Sequence, residues 1–137
     1  MKILVAVDPS DSAHIAVAKA AEMAKKDAAP LTLLAVAETF QDMESLFGSE
    51  ASERLKKRAS DALDAAKAIA VAAGVKPKLV LKSGVSPEDI IVDAAEKGGF
   101  DLVVMGTRSK KGKAQLRLGS VASKVVGLAP CSVLVVR

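Results

Sequence analysis

Short runs of β-branched and aliphatic residues alternate with longer stretches rich in alanine, lysine and glutamate along all 137 residues of the chain. That alternation is the pattern of βαβ units, in which parallel strands are joined by crossover helices, and it leaves few other folds open. Five segments read as strands: residues 3–7, 31–37, 78–82, 101–105 and 132–136. Several are apolar through their centres, as strands buried on both faces are, so helices are expected on both sides of the sheet. The expectation is one α/β domain over residues 1–137 on an open, mostly parallel sheet.

The stretches between the strands carry helix start and stop signals. A first helix is expected over residues 11–27, with Asp8 or Ser10 as its cap and Pro30 closing the turn before the second strand. A second should start near Ser49 or Ser52 and run to Ala73, with Gly74 as a left-handed stop and Pro77 just beyond. Ser86-Pro87-Glu88-Asp89 combines a capping serine, a proline at the first helical position and two acidic groups at the positive helix start. That third helix should end at Gly98-Gly99, and a fourth should open at Gly119-Ser120 and stop before Pro130. Two connections read as irregular: residues 38–48, with poor order expected over the acidic stretch 41–50, and residues 106–118. The latter carries Arg108, Lys110, Lys111, Lys113 and Arg117, and an irregular connection of that length in a small domain is usually functional.

Composition narrows the function classes. No apolar run approaches the roughly 20 residues that cross a bilayer. The opening Met-Lys-Ile-Leu-Val-Ala-Val-Asp has no room for a signal peptide, so the cytoplasm is the expected location. One cysteine, Cys131, and one histidine, His14, exclude an internal disulfide and a Cys/His zinc site. A small buried thiol at Cys131 with the single histidine distant from it is expected to be inert, and His14 is expected on the polar side of the first helix, with Lys25. Twenty basic against sixteen acidic residues give +4, which permits an anionic partner. Three phenylalanines and no other aromatic residue argue against a base-stacking nucleic-acid surface.

In an open parallel sheet, ligands bind beyond the carboxyl ends of the strands, where the winding direction switches. The first strand runs into Asp8-Pro9-Ser10-Asp11-Ser12, and the fourth into Gly106-Thr107-Arg108-Ser109. Gly106 permits a sharp exit and close approach of a ligand, while Gly119-Ser120 brings amides, a hydroxyl and a positive helix end together, as phosphate sites do. Neither the dinucleotide glycine fingerprint nor the GxxxxGK[ST] loop is present.

The opening Lys2-Ile3-Leu4-Val5-Ala6-Val7-Asp8-Pro9-Ser10, the segment Gly106-Thr107-Arg108-Ser109 with Gly119-Ser120 after it, and the final Ala129-Pro130-Cys131-Ser132-Val133-Leu134-Val135-Val136 together resemble the universal stress protein family. The resemblance implies a five-stranded parallel sheet in the order 3-2-1-4-5 with helices on both faces. It also implies a homodimer and, in one branch, an ATP site marked by G-x2-G-x9-G-[ST]. The chain matches that pattern except at the second glycine, where Ser109 stands.

Carried over by position, the resemblance puts Val7 and Asp8 beside ribose and phosphates, Val36 beside adenine, and Gly106, Arg108 and Ser109 along the sugar and phosphates. Gly119, Ser120 and Val121 complete the phosphate cradle. Asp8 is a candidate partner for a ribose hydroxyl or for a phosphate-bound Mg²⁺. The expected function is a small adenine-nucleotide (ATP or AMP) binding stress regulator that pairs through its last strand, Ser132–Val136, and signals to an unknown protein partner. A dimeric interaction module without nucleotide, marked by Ser109, and a slow ATPase without a clear water-activating residue are the alternatives.

Overall fold

A computed structural model describes residues 1–107 and 118–137. In chain order these form β1 (Ile3–Val7), α1 (Asp11–Asp27), β2 (Leu31–Glu38), α2 (Met43–Phe47), α3 (Ser49–Ala72), β3 (Lys78–Gly84), α4 (Pro87–Lys97), β4 (Leu102–Gly106), α5 (Ser120–Leu128) and β5 (Ser132–Val136). The strands make one sheet in the order β3-β2-β1-β4-β5, every neighbouring pair parallel. This is the expected α/β fold and strand order. β1 lies at the centre, with Val5 between Leu33 of β2 and Val104 of β4.

Alternation along the strands divides the interior into two layers. Ile3, Val5, Leu33, Ala35 and Val104 face α1 and α3, which meet them with Ala16, Val17, Ala20, Ala21, Ala62 and Ala66. Leu4, Leu34, Val103 and Met105 face α4 and α5, which contribute Ile91, Ala95, Ala122 and Val125. Alanine suits the first layer because it loses no rotamer freedom in a helix and lets the helix backbone lie close to the sheet. The fully covered leucines and isoleucine then contribute roughly 1.5–3 kcal/mol each on burial.

Local signals account for most element ends. Ser10 is extended and its hydroxyl accepts from the Ala13 amide at 3.2 Å, so it caps α1, while the Asp8 carboxylate accepts from the Ser10 amide at 2.8 Å and shapes the turn before it. Both residues proposed as the cap therefore serve the same turn. Gly74, at φ +86°, provides the left-handed stop after α3. At the end of α1 the left-handed residue is Ala28, φ +50°, where a side chain costs on the order of 1 kcal/mol relative to glycine.

Three expectations need correction. The acidic stretch after β2 is not irregular throughout, because Met43–Phe47 forms a short helix with Met43 buried beneath it. Asp101 precedes β4 and uses its carboxylate to accept the backbone N–H of Lys2 at 2.7 Å. Ser86 occupies the cap position of α4, but its hydroxyl makes no bond to the helix backbone and turns to the Glu88 carboxylate instead.

Candidate functional site

The carboxyl ends of β1, β2 and β4 surround a cavity of about 310 Å³, within the range of small-molecule sites. β1 supplies Ala6 and Val7, the following turn Asp8, β2 Leu34, Val36 and Glu38, and β4 Met105 and Gly106. Pro87 and Ile91 of α4 form one wall, and Gly119, Ser120, Val121 and Ala122 at the start of α5 another. Of the residues singled out from sequence, Val7, Asp8, Val36, Gly106, Gly119, Ser120 and Val121 meet here. Arg108 and Ser109, with Lys110, Lys111 and Lys113, lie outside the described residues.

β1 separates two chemical halves. On the β2 side, Leu34, Val36 and Ile91 present aliphatic surface suited to a flat apolar ring. On the β4 side, Thr107 follows Gly106, fully buried, and its carbonyl accepts from the Gly119 amide at 3.1 Å. That bond ties the end of β4 to the start of α5. Gly119 is extended, φ −65° and ψ 165°, and as glycine it has no side chain with which to cap the helix it precedes. Ser120 is therefore the first helical residue and not a cap, and the amides of Ser120, Val121 and Ala122 have no acceptor within the helix. Together with the helix dipole, such amides favour an anion.

Gly106 is glycine for a reason that sequence alone does not show. A Cβ there would come within 2.5 Å of the Ser12 carbonyl carbon and Oγ, so the first turn of α1 rests directly on the end of β4. The close approach is made by the protein's own backbone.

Among the described lining residues the charged groups are Asp8 and Glu38, and no cation is among them. Beside the site, the Lys124 ammonium of α5 meets the Glu88 carboxylate of α4 at 3.2 Å, joining the two walls. Glu88 is held below the usual carboxylate range, first by its own backbone N–H and the Ser86 hydroxyl, with Lys124 adding to them and partial burial opposing. Cys131 lies away from this cavity, before β5. Burial first, and then the Asp101 carboxylate, push its thiol up, against a bond from the Val103 backbone, so at neutral pH it stays protonated and is a poor nucleophile.

Sequence reasoning missed Glu38, Pro87, Ile91, Thr107 and Ala122 as lining residues. The α4 pair was accessible through topology, since every helix that follows a parallel strand starts at the sheet's carboxyl edge. Thr107 carried a weaker signal, its position directly after Gly106.

An open parallel sheet with a half-apolar cavity at its switch point defines a small α/β protein with a candidate ligand site. The chain belongs to the universal stress protein family, whose model matches residues 1–137. Universal stress protein YxiE of Bacillus subtilis is 35% identical over 146 aligned positions, covering 99% of this chain and 98% of that protein. Universal stress protein UspA of Lactobacillus plantarum superposes with a TM-score of 0.85 at 30% identity, over 100% of this chain and 97% of that one. The universal stress protein of Archaeoglobus fulgidus solved in complex with dAMP superposes with a TM-score of 0.74 at 25% identity, over 100% and 98% of the two chains.

Proposed function

We propose that this chain is a cytoplasmic adenine-nucleotide sensor of the stress response, binding ATP or AMP in the cavity between β1, β2, β4 and α5. The observation that carries this reading is the meeting of an aliphatic slot, Leu34, Val36 and Ile91, with the uncapped start of α5 across one small cavity. The dAMP complex of the A. fulgidus relative supports it. The base lies in the slot, the ribose beside Val7 and Asp8, and the phosphates reach Gly119, Ser120 and Val121, with Gly106, Arg108 and Ser109 along them. Among the described residues no three His, Cys, Asp or Glu side chains gather, so a Mg²⁺ enters on phosphate and water oxygens, with Asp8 as the protein's contribution.

The sensor pairs with its own copy through β5, an edge strand of small and apolar residues that ends the sheet, and occupancy of the cavity is passed to a protein partner. Ser109, in place of the family's glycine, favours the second reading, a dimeric interaction module that no longer takes nucleotide.

ATP and AMP should raise the melting temperature, because a ligand that binds only the folded state stabilises it, by about 2.7 kcal/mol at one hundred times Kd. Gly119→Asp puts a carboxylate at the amide cluster in a backbone conformation that aspartate accepts. It should remove the shift while leaving the unliganded melting temperature within a few degrees. A variant that responds to ATP like the parent removes the phosphate cradle from this reading, and no response from the parent favours the interaction module.

A further inference from the structure

A second concavity, a groove of about 480 Å³, lies on the far side of the Asp8–Ser10 turn from the first cavity, between α1 and α3. Pro9 forms its lip, His14 of α1 one wall, and Arg54, Lys57, Arg58 and Asp61 of α3 the other, over Ala62 and Ala65. The α3 residues recur at three- and four-residue intervals, so they share one helix face.

The charges there are unbalanced. Among the described residues Asp61 is the sole carboxylate lining the groove, and it is already taken by Lys57, at 3.1 Å. Arg54 and Arg58 are exposed, and among the described residues neither guanidinium makes an ion pair or a side-chain hydrogen bond. Two like charges four residues apart oppose the helix that carries them. An anion bridging both would reverse that repulsion. Guanidinium forks match phosphate oxygens in pairs, which a lysine ammonium does not.

We infer that this groove is a second anion site, taking a compact diphosphate group across Arg54 and Arg58 with Lys57 and His14 beside it. The groove adjoins the first cavity at the Asp8–Ser10 turn and the first turn of α1, where Ala13 lines the cavity and His14 the groove, but among the described residues none lines both. The diphosphate can arrive as the free anion or esterified, and both present the same oxygens to the forks.

Calorimetric titration of the whole protein with inorganic pyrophosphate, at constant ionic strength, tests the site. Binding is expected in the parent and retained in Gly119→Asp, where the first cavity is blocked, and adding Arg54→Ala/Arg58→Ala to Gly119→Asp should weaken it at least tenfold. ADP titrated into Gly119→Asp identifies the source: binding sensitive to the two arginines means that an ester is accepted, and its absence beside pyrophosphate binding means that the free anion alone is. Lys56→Ala/Lys67→Ala, two exposed cations on the opposite face of α3, controls for bulk charge. An equal loss in that control overturns the inference. So does the absence of pyrophosphate binding to the parent protein, or binding that Gly119→Asp abolishes. Circular dichroism confirms that the α3 variants, all at exposed positions, and Gly119→Asp remain folded.

Discussion

The two faces of the sheet are packed by different means. On one, α1 and α3, of 17 and 24 residues, lay alanines against the strands and fill the layer. On the other, α4 and α5, of 11 and 9 residues, cover the strands with Ile91, Ala95, Ala122 and Val125, and where both helices begin the cavity stays open. Long helices with small side chains close a layer. Short ones starting at the carboxyl edge leave a space bounded by Ile91 and Ala122. The difference separates a face that is filled from a face that keeps a cavity.

Leu33 and Leu34 put that division to the strongest test. They are neighbours on β2, both buried, and they point into opposite layers. Leu33→Ala should cost about 3–5 kcal/mol, because nothing in the alanine layer can close the hole. Leu34→Ala should cost about 2–3 kcal/mol, since that side chain already borders open space and loses fewer neighbours. Urea unfolding at unchanged slope measures both. The reverse order would mean that the α1/α3 face is the more adaptable one.

A pair of glycines sharpens the contrast. Gly106→Ala forces a Cβ into the Ser12 backbone and should destabilise by about 1–3 kcal/mol. Gly127, exposed within α5, has open space where a Cβ would go. Gly127→Ala should therefore stabilise, by up to about 1 kcal/mol from helix propensity alone. Thermal melts that gave the two variants the same sign would contradict the close packing of α1 on β4.

The smallest effect concerns the link between the walls of the cavity. Because Glu88 is held below the usual carboxylate range, the unfolded chain takes up its proton first on acidification. Its contribution is therefore complete above the ordinary carboxylate pKa and is lost as pH falls through the folded value. Lys124 is more than half exposed, so Glu88→Gln should cost no more than about 1 kcal/mol at pH 7. The gap between variant and parent should close in melts below pH 4. A gap that widened in acid would reverse the assigned direction.

The strands were legible to within a residue or two at each end, because apolar runs bounded by Gly, Pro and Asp have few other readings. α1 was legible in full, its start written in Ser10. α2 was not. Five residues are too few for a helical period to register, and its buried member, Met43, stands alone between acidic neighbours. At the site, the residues that belong to a local motif were legible: Asp8 in its turn, Gly106 at its strand end, Gly119 and Ser120 at a helix start. The residues that reach the cavity through tertiary packing, Ile91 and Ala122 among them, carry no local mark. Gly106 shows the limit most clearly, since the need for glycine is visible in the chain while its cause, Ser12, lies far away along it. His14 shows it too: a polar helix position on the sequence, it becomes one wall of a groove only when α3 lies alongside.

The hydrogen bond from the Gly119 amide to the Thr107 carbonyl has a consequence for how such a chain can change over generations. It pinches shut the ends of everything between them, so the walls of the cavity are registered to each other independently of what that interval contains. Closing a longer interval costs little, about 0.6 kcal/mol for each doubling of its length. Changes of length between residues 107 and 119 are thus nearly neutral for the sheet, whose fourth strand and last helix stay in register through this one bond.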